Sequence, residues 1–107
     1  MKFLNSTRES ITLYFSLRSR GVPAELEKFD GYKTINIAVV PALLNIEVDD
    51  RYHVLKSNQE IVDVLQAFST IRKGYLNLKI PKNLIRTHLE DTMDYVSQFV
   101  HISFKGN

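Results

Sequence analysis

Apolar residues recur along this chain at two spacings, and turn-forming residues separate one from the other. Ile11, Tyr14, Phe15 and Leu17 follow the three-to-four-residue rhythm of a helical stripe. Ser6-Thr7-Arg8-Glu9 ahead of them has the form of a capping box, in which a serine hydroxyl and a glutamate three residues on satisfy each other's backbone donors. Gly21, after Arg18 and Arg20, is placed to end that helix. Ser57-Asn58-Gln59-Glu60 repeats the capping pattern. Ile61, Val64, Leu65, Phe68 and Ile71 then predict a second helix that runs to Arg72-Lys73-Gly74. A third helix is predicted just after Pro81, with Leu84 or Ile85, Leu89, Met93, Val96 and Val100 on its buried side.

Between the helices the period drops to two. Lys33 to Val40 alternates, with Ile35, Ile37 and Val39 on one face and Asn36, Ala38 and Val40 on the other. In Leu43 to Asp49, Leu44, Ile46 and Val48 alternate with Asn45, Glu47 and Asp49. Pro41-Ala42 is a short link that predicts an antiparallel hairpin of these two strands. A weaker strand is expected from Ala24 to Phe29, closed by Asp30-Gly31. Tyr75 to Ile80 forms another, and His101 to Phe104 reads as a short final strand. The order is helix, three strands, helix, strand, helix. This predicts one α/β domain spanning residues 1–107, a central mixed sheet flanked by helices. A chain this long buries roughly two thirds of the surface of its unfolded form, enough for a core without staples.

Composition removes several kinds of chemistry. There is no cysteine, which excludes disulfides, thiolate zinc sites and cysteine nucleophiles, and which fits a reducing, cytoplasmic setting. The longest apolar stretch, Ile35 to Ile46, is interrupted by Asn36, Pro41 and Asn45 and falls short of the roughly 20 residues of a membrane helix, so neither a membrane span nor a signal peptide is expected. No Gly-x-Ser-x-Gly turn or glycine-rich phosphate cradle occurs. The net charge of +2 conceals an uneven distribution. Residues 1–24 and 64–107 each carry +3, while residues 25–63 carry −4. Five bases and no acid lie between Val64 and Leu89. Of these, Arg72, Lys73, Lys79, Lys82 and Arg86 are candidate phosphate contacts, which would make binding salt-sensitive; the same residues also suit plain helix-end and surface charge.

Within the acidic centre, Glu47 and Asp49 stand two residues apart on a strand and project from one face, about 7 Å apart at the backbone. Neighbouring carboxylates repel unless a positive charge lies between them, and a hard divalent cation with oxygen ligands serves this purpose. Asn36 on the adjacent strand offers a third oxygen. Glu9 offers a fourth if the first helix packs over this face. A solvated polar sheet face has the same alternation.

Glu47-Val48-Asp49-Asp50-Arg51-Tyr52-His53 resembles the Glu-x-Asp-Gly-x-x-His signature of small endonuclease-like domains related to the very-short-patch DNA repair nuclease, within the PD-(D/E)XK restriction-endonuclease-like superfamily. Glu9 with Leu13 and Leu17 resembles that family's first helix, and Asp30-Gly31-Tyr32-Lys33-Thr34-Ile35-Asn36-Ile37 the strand bearing its metal-binding aspartate. Gly74-Tyr75-Leu76-Asn77-Leu78-Lys79-Ile80-Pro81, with Leu84-Ile85 and Leu89-Glu90 after it, resembles the closing strand and helix, where arginine usually stands at the Lys79 position. The likeness covers roughly residues 6–100. It implies a restriction-endonuclease-like αβββαβα fold and a hydrolase that cleaves DNA phosphodiesters with Mg²⁺ or Mn²⁺. Glu47 and Asp49 would then be metal ligands or orient the attacking water, with Asn36 beside them. Glu9 would assist from the helix, His53 would act as acid/base or phosphate contact, and Lys79 would face phosphate.

Two departures touch the centre of that pattern. Asn36 stands where the family has aspartate, keeping an oxygen but losing a charge. Asp50 replaces a glycine. The expectation is therefore a metal-dependent DNA endonuclease-like protein whose site has weakened. The alternative is a non-catalytic DNA-binding or protein-assembly module on the same fold. With little room for a separate recognition domain, a homodimer or a fused partner is also expected. His88 and His101 lack metal-ligand spacing and read as structural or surface residues.

Overall fold

A computed structural model describes residues 8–29, 31, 34–49, 57–67 and 69–105. Among them the chain forms α1 (Arg8–Ser19), β1 (Glu25–Phe29), β2 (Thr34–Val39), β3 (Leu44–Asp49), α2 (Asn58–Ala67), β4 (Ser69–Arg72), β5 (Tyr75–Pro81), α3 (Lys82–Thr87) and α4 (Leu89–Lys105). The strands make one five-stranded mixed sheet in the order β1-β2-β3-β5-β4. Only β3 and β5 run parallel. A parallel pair needs a crossover, which α2 and β4 supply between them. The predicted β2–β3 hairpin forms over a single 3₁₀ turn, Val40–Ala42, and Leu43 closes it at a positive φ of 52°.

Alternation decides which side of the sheet is covered. Ile37, Val39, Leu44, Ile46, Leu78 and Ile80 all project from one face and join a single core with Leu13 and Leu17 of α1, Ile61 and Leu65 of α2, Leu84 and Ile85 of α3, and Met93, Val96 and Val100 of α4. The helices therefore close one apolar face. Each fully buried leucine or isoleucine there contributes about 1.5–3 kcal/mol of transfer free energy. The opposite face carries Asn36, Ala38, Asn45, Glu47, Asp49, Asn77 and Lys79.

Helix α1 is fixed at both ends. Gly21, at φ 81°, sits in a Schellman turn in which its N–H donates to the Arg18 carbonyl and the Val22 N–H to that of Leu17. Just before it, Arg20 donates to Asp94 at 2.9 Å, to Glu90 at 3.0 Å and to Ser97 at 3.5 Å, joining the end of α1 to α4. The bond to Asp94 and, after it, that to Glu90 raise the Arg20 pKa above its ordinary value. At the other end Glu9 meets Arg86 of α3.

Three expectations from the sequence are corrected. Helix α2 stops at Ala67, and Ser69–Arg72, expected as its last turn, is an edge strand on which Ile71 is 79% exposed. The apolar period points through Ile71, but Thr70 and Ile71 are β-branched residues that favour a strand, and β5 pairs with them. Lys73 (φ 54°) and Gly74 (φ 83°), expected as a helix end, form the two-residue turn of the β4–β5 hairpin. The helix after Pro81 is two helices separated at His88, whose N–H donates to the Leu84 carbonyl. Finally, His101 to Phe104 belongs to α4, with no proline or glycine to interrupt it before Gly106. Among the described residues no helix is long and apolar enough to cross a membrane.

Candidate functional site

The polar face of the sheet gathers the candidate residues by strand register. Parallel pairing sets Asn45 beside Asn77, Glu47 beside Lys79 and Asp49 beside Pro81. Glu47 and Asp49 are half-buried, each engaged in polar or electrostatic contacts, and Lys79 is exposed. An ammonium thus shares a face with two carboxylates at the carboxyl-terminal end of the parallel pair, the end at which open α/β sheets commonly bind ligands.

Asn36 reaches this group from β2. Pairing of β2 with β3 runs from Val39 and Leu44 to Ile37 and Ile46, and one step further the Asn36 side-chain oxygen accepts the Val48 N–H at 2.9 Å. Val48 lies between Glu47 and Asp49. The asparagine therefore fixes the backbone that spaces the two carboxylates, a role equally open to an aspartate, which also accepts hydrogen bonds. Behind it, Asn45 Nδ2 donates to Asn77 Oδ1 at 3.3 Å, and Asn77 Nδ2 donates to the Tyr75 carbonyl at 3.2 Å. Sequence reading missed this amide pair. Its signal is the shared arrangement of Asn-x-Glu in β3 and Asn-x-Lys in β5.

Glu9 lies elsewhere. At four-residue spacing from Leu13 and Leu17 it shares their buried stripe, and it is only 4% exposed. Since that stripe packs on the apolar face, α1 does not cover the face of Glu47 and Asp49, and the condition for a fourth oxygen from Glu9 is not met. Its Oε2 instead accepts from Arg86 Nε at 2.5 Å. The Arg86 hydrogen bond holds the carboxyl below its ordinary pKa, against the opposing effect of burial.

The five candidate phosphate contacts do not form one patch. Arg72 ends β4 and Lys73 lies in the turn before β5, Lys79 lies along β5, and Lys82 and Arg86 follow its end on α3. They are strung along a strand about 20 Å long. His53 and Asp50 lie outside the described residues. His88 marks the α3–α4 junction, with Nδ1 at 2.7 Å from Thr87 Oγ1.

Among the described residues no group of three or more histidine, aspartate or glutamate side chains is arranged to hold a metal ion. Of the residues expected as metal ligands, Glu47 and Asp49 bring two carboxylates to this face and Asn36 an amide oxygen that accepts the Val48 N–H. Hard oxygens of this kind suit Mg²⁺ or Mn²⁺, ions that are commonly held through one or two carboxylates together with substrate phosphate. Comparison with protein-family models, curated proteins and solved structures gives no match.

Proposed function

We propose that this chain is a restriction-endonuclease-like domain that hydrolyses DNA phosphodiesters with Mg²⁺ or Mn²⁺, through a metal centre reduced to two carboxylates. The observation that carries this reading is the β3–β5 register, which brings Glu47, Asp49 and Lys79 onto one open face. The expected helix, three strands, helix, strand and helix occur in order, with β4 as an added edge and the final helix divided at His88.

In this reading Glu47 and Asp49 hold the cation. A cation held there would supply Lewis-acid polarisation of a phosphoryl oxygen and would acidify water. Lys79 offsets the charge of a non-bridging phosphate oxygen beside Glu47. Asn36 keeps the Glu47–Asp49 segment in register through the Val48 N–H. His53 is the group suited to moving a proton near neutral pH. Because Asn36 brings an oxygen without a charge, metal affinity is low and the activity slow.

Supercoiled plasmid incubated with the purified chain and Mg²⁺ or Mn²⁺ tests this. Nicking is expected, with loss in Glu47→Ala and an increase in Asn36→Asp. Absence of cleavage by both wild type and Asn36→Asp overturns catalysis. A second reading, a non-catalytic DNA-binding module, is favoured by the commitment of Asn36 to a backbone bond and of Glu9 to Arg86. It predicts salt-sensitive DNA binding that survives Glu47→Ala without cleavage.

A further inference from the structure

We propose that Arg86 is a phosphate-gripping residue oriented by the buried carboxylate of Glu9, and that with Lys82 it receives the DNA backbone beyond the carboxylate face. The proposal rests on the DNA partner in the reading above, not on cleavage.

The Glu9–Arg86 pair is asymmetric. The carboxylate side chain is 5% exposed and the arginine side chain 65%. A buried acid on an apolar stripe carries a desolvation cost, and an apolar side chain in its place commonly stabilises a fold as well or better. Stability alone therefore gives little reason for a glutamate at this position. Its evident effect is on the arginine. The bond engages Nε, one of five guanidinium donors, and among the described residues the other four make no hydrogen bond, on a largely exposed side chain whose orientation that bond favours. Holding the fork in place lowers the entropy lost when it closes on a phosphate.

Its neighbours make an anion the fitting ligand. Lys82 is one helical turn before Arg86, on the same side of α3, and its charge also acts on Glu9. The α3 segment, Lys82-Asn83-Leu84-Ile85-Arg86-Thr87, contains no acid. It starts immediately after Pro81, the register partner of Asp49. A backbone whose phosphate lies against Glu47, Asp49 and Lys79 would thus continue over the end of the parallel pair toward α3.

Fluorescence anisotropy of a labelled duplex oligonucleotide, in EDTA and over a salt series, tests the proposal on the full chain. Arg86→Gln should weaken binding and lower the salt slope by about one, so that its gap from wild type narrows by about 3.5-fold for each fourfold rise in salt. Arg86→Lys should lose most of the affinity despite its charge, because the fork is gone. Glu9→Gln should also weaken binding, whereas a plain charge effect would strengthen it. Thermal melts establish that each variant is folded. Should Glu9→Gln fail to fold, the comparison of Arg86→Lys with Arg86→Gln decides. Unchanged binding in Arg86→Gln, wild-type binding in Arg86→Lys, or tighter binding in Glu9→Gln overturns the proposal. Binding that follows the expected pattern without any cleavage in Mn²⁺ overturns catalysis alone. Absence of wild-type binding overturns both.

Discussion

On β3, Leu44 and Ile46 are wholly enclosed beneath the helices, whereas Asn45, Glu47 and Asp49, which alternate with them, lie half-buried on the other side of the sheet. One strand thus serves two environments. On the closed face a side chain is held by many apolar neighbours, and its shape matters more than any single bond. On the open face each polar group has a few directed contacts, such as Asn45 with Asn77 or Asn36 with the Val48 N–H, so chemistry can change there while packing stays. Stability and candidate function are consequently carried by alternate residues of the same strand. The largest expected effect tests this directly. Ile46→Ala should cost about 3 kcal/mol in urea unfolding, from lost transfer energy plus a cavity. Its neighbour Asn45→Ala should cost about 1 kcal/mol, the worth of an amide hydrogen bond. Equal costs at the two positions would erase the distinction between the faces.

Glu9 and Thr92, two of the polar residues buried among the described residues, should respond oppositely. Glu9 is buried but paired, so Arg86→Gln leaves a buried carboxylate without its cation and should cost about 1–2 kcal/mol at neutral pH. That cost should depend on pH. The folded pKa of Glu9 lies below the ordinary 4.5, so its contribution is present above the ordinary carboxylate range and is lost as pH falls through the lowered value. Unfolding of wild type and Arg86→Gln should therefore converge in acid. A gap that stays constant across that range would show that the arginine stabilises by packing instead. Thr92 is the reverse case. It is 0% exposed, and its Oγ1 is a buried side-chain atom without a hydrogen-bond partner among the described residues. Thr92→Val should stabilise the protein by about 1 kcal/mol, since it removes an unsatisfied hydroxyl at nearly constant shape. A lower melting temperature in Thr92→Val would count against that assignment.

The closed face was largely legible from sequence because burial leaves a periodic trace. Ile37 and Val39, and Leu44 and Ile46, stand at the spacing their strands require, whereas in α1 the buried stripe is Leu13 and Leu17, and Phe15, expected on it, is 57% exposed. Errors arose where two periods agree locally. Ile61, Val64, Leu65, Phe68 and Ile71 continue a helical stripe on paper, yet Ile71 belongs to a strand, because pairing with β5 is a non-local contact that period counting does not detect. The open face was legible only in part. Glu47, Asp49 and Asn36 share a face by simple alternation, but the placement of Lys79 beside Glu47 depends on a crossover that no local pattern specifies. The partner of Glu9 was hidden for a related reason. The distance of Glu9 from Leu13 and Leu17 already put it on the buried stripe, but a carboxylate there makes sense only with Arg86, 77 residues away.

The smallest effect bears most directly on the open face. Glu47 and Lys79 are register partners across β3 and β5, in the geometry where opposite charges on neighbouring strands interact by roughly 0.2–1 kcal/mol. A double-mutant cycle with Glu47→Gln and Lys79→Gln should return a coupling of about 0.5 kcal/mol that declines with added salt. Both single variants should remain within about 1 kcal/mol of wild type, well short of Ile46→Ala, whose residue directly precedes Glu47 on β3. Titration with Mn²⁺ should nonetheless separate them, with Glu47→Gln losing affinity and Lys79→Gln gaining it, because an ammonium beside the carboxylate competes with the cation. A face whose stability barely registers these changes while its metal affinity moves in both directions is one in which the polar residues are held for binding. If instead the coupling reached several kcal/mol and metal affinity did not respond to either change, Glu47 and Lys79 would be a structural cross-link, and the two faces would differ only in the kind of bond that holds them.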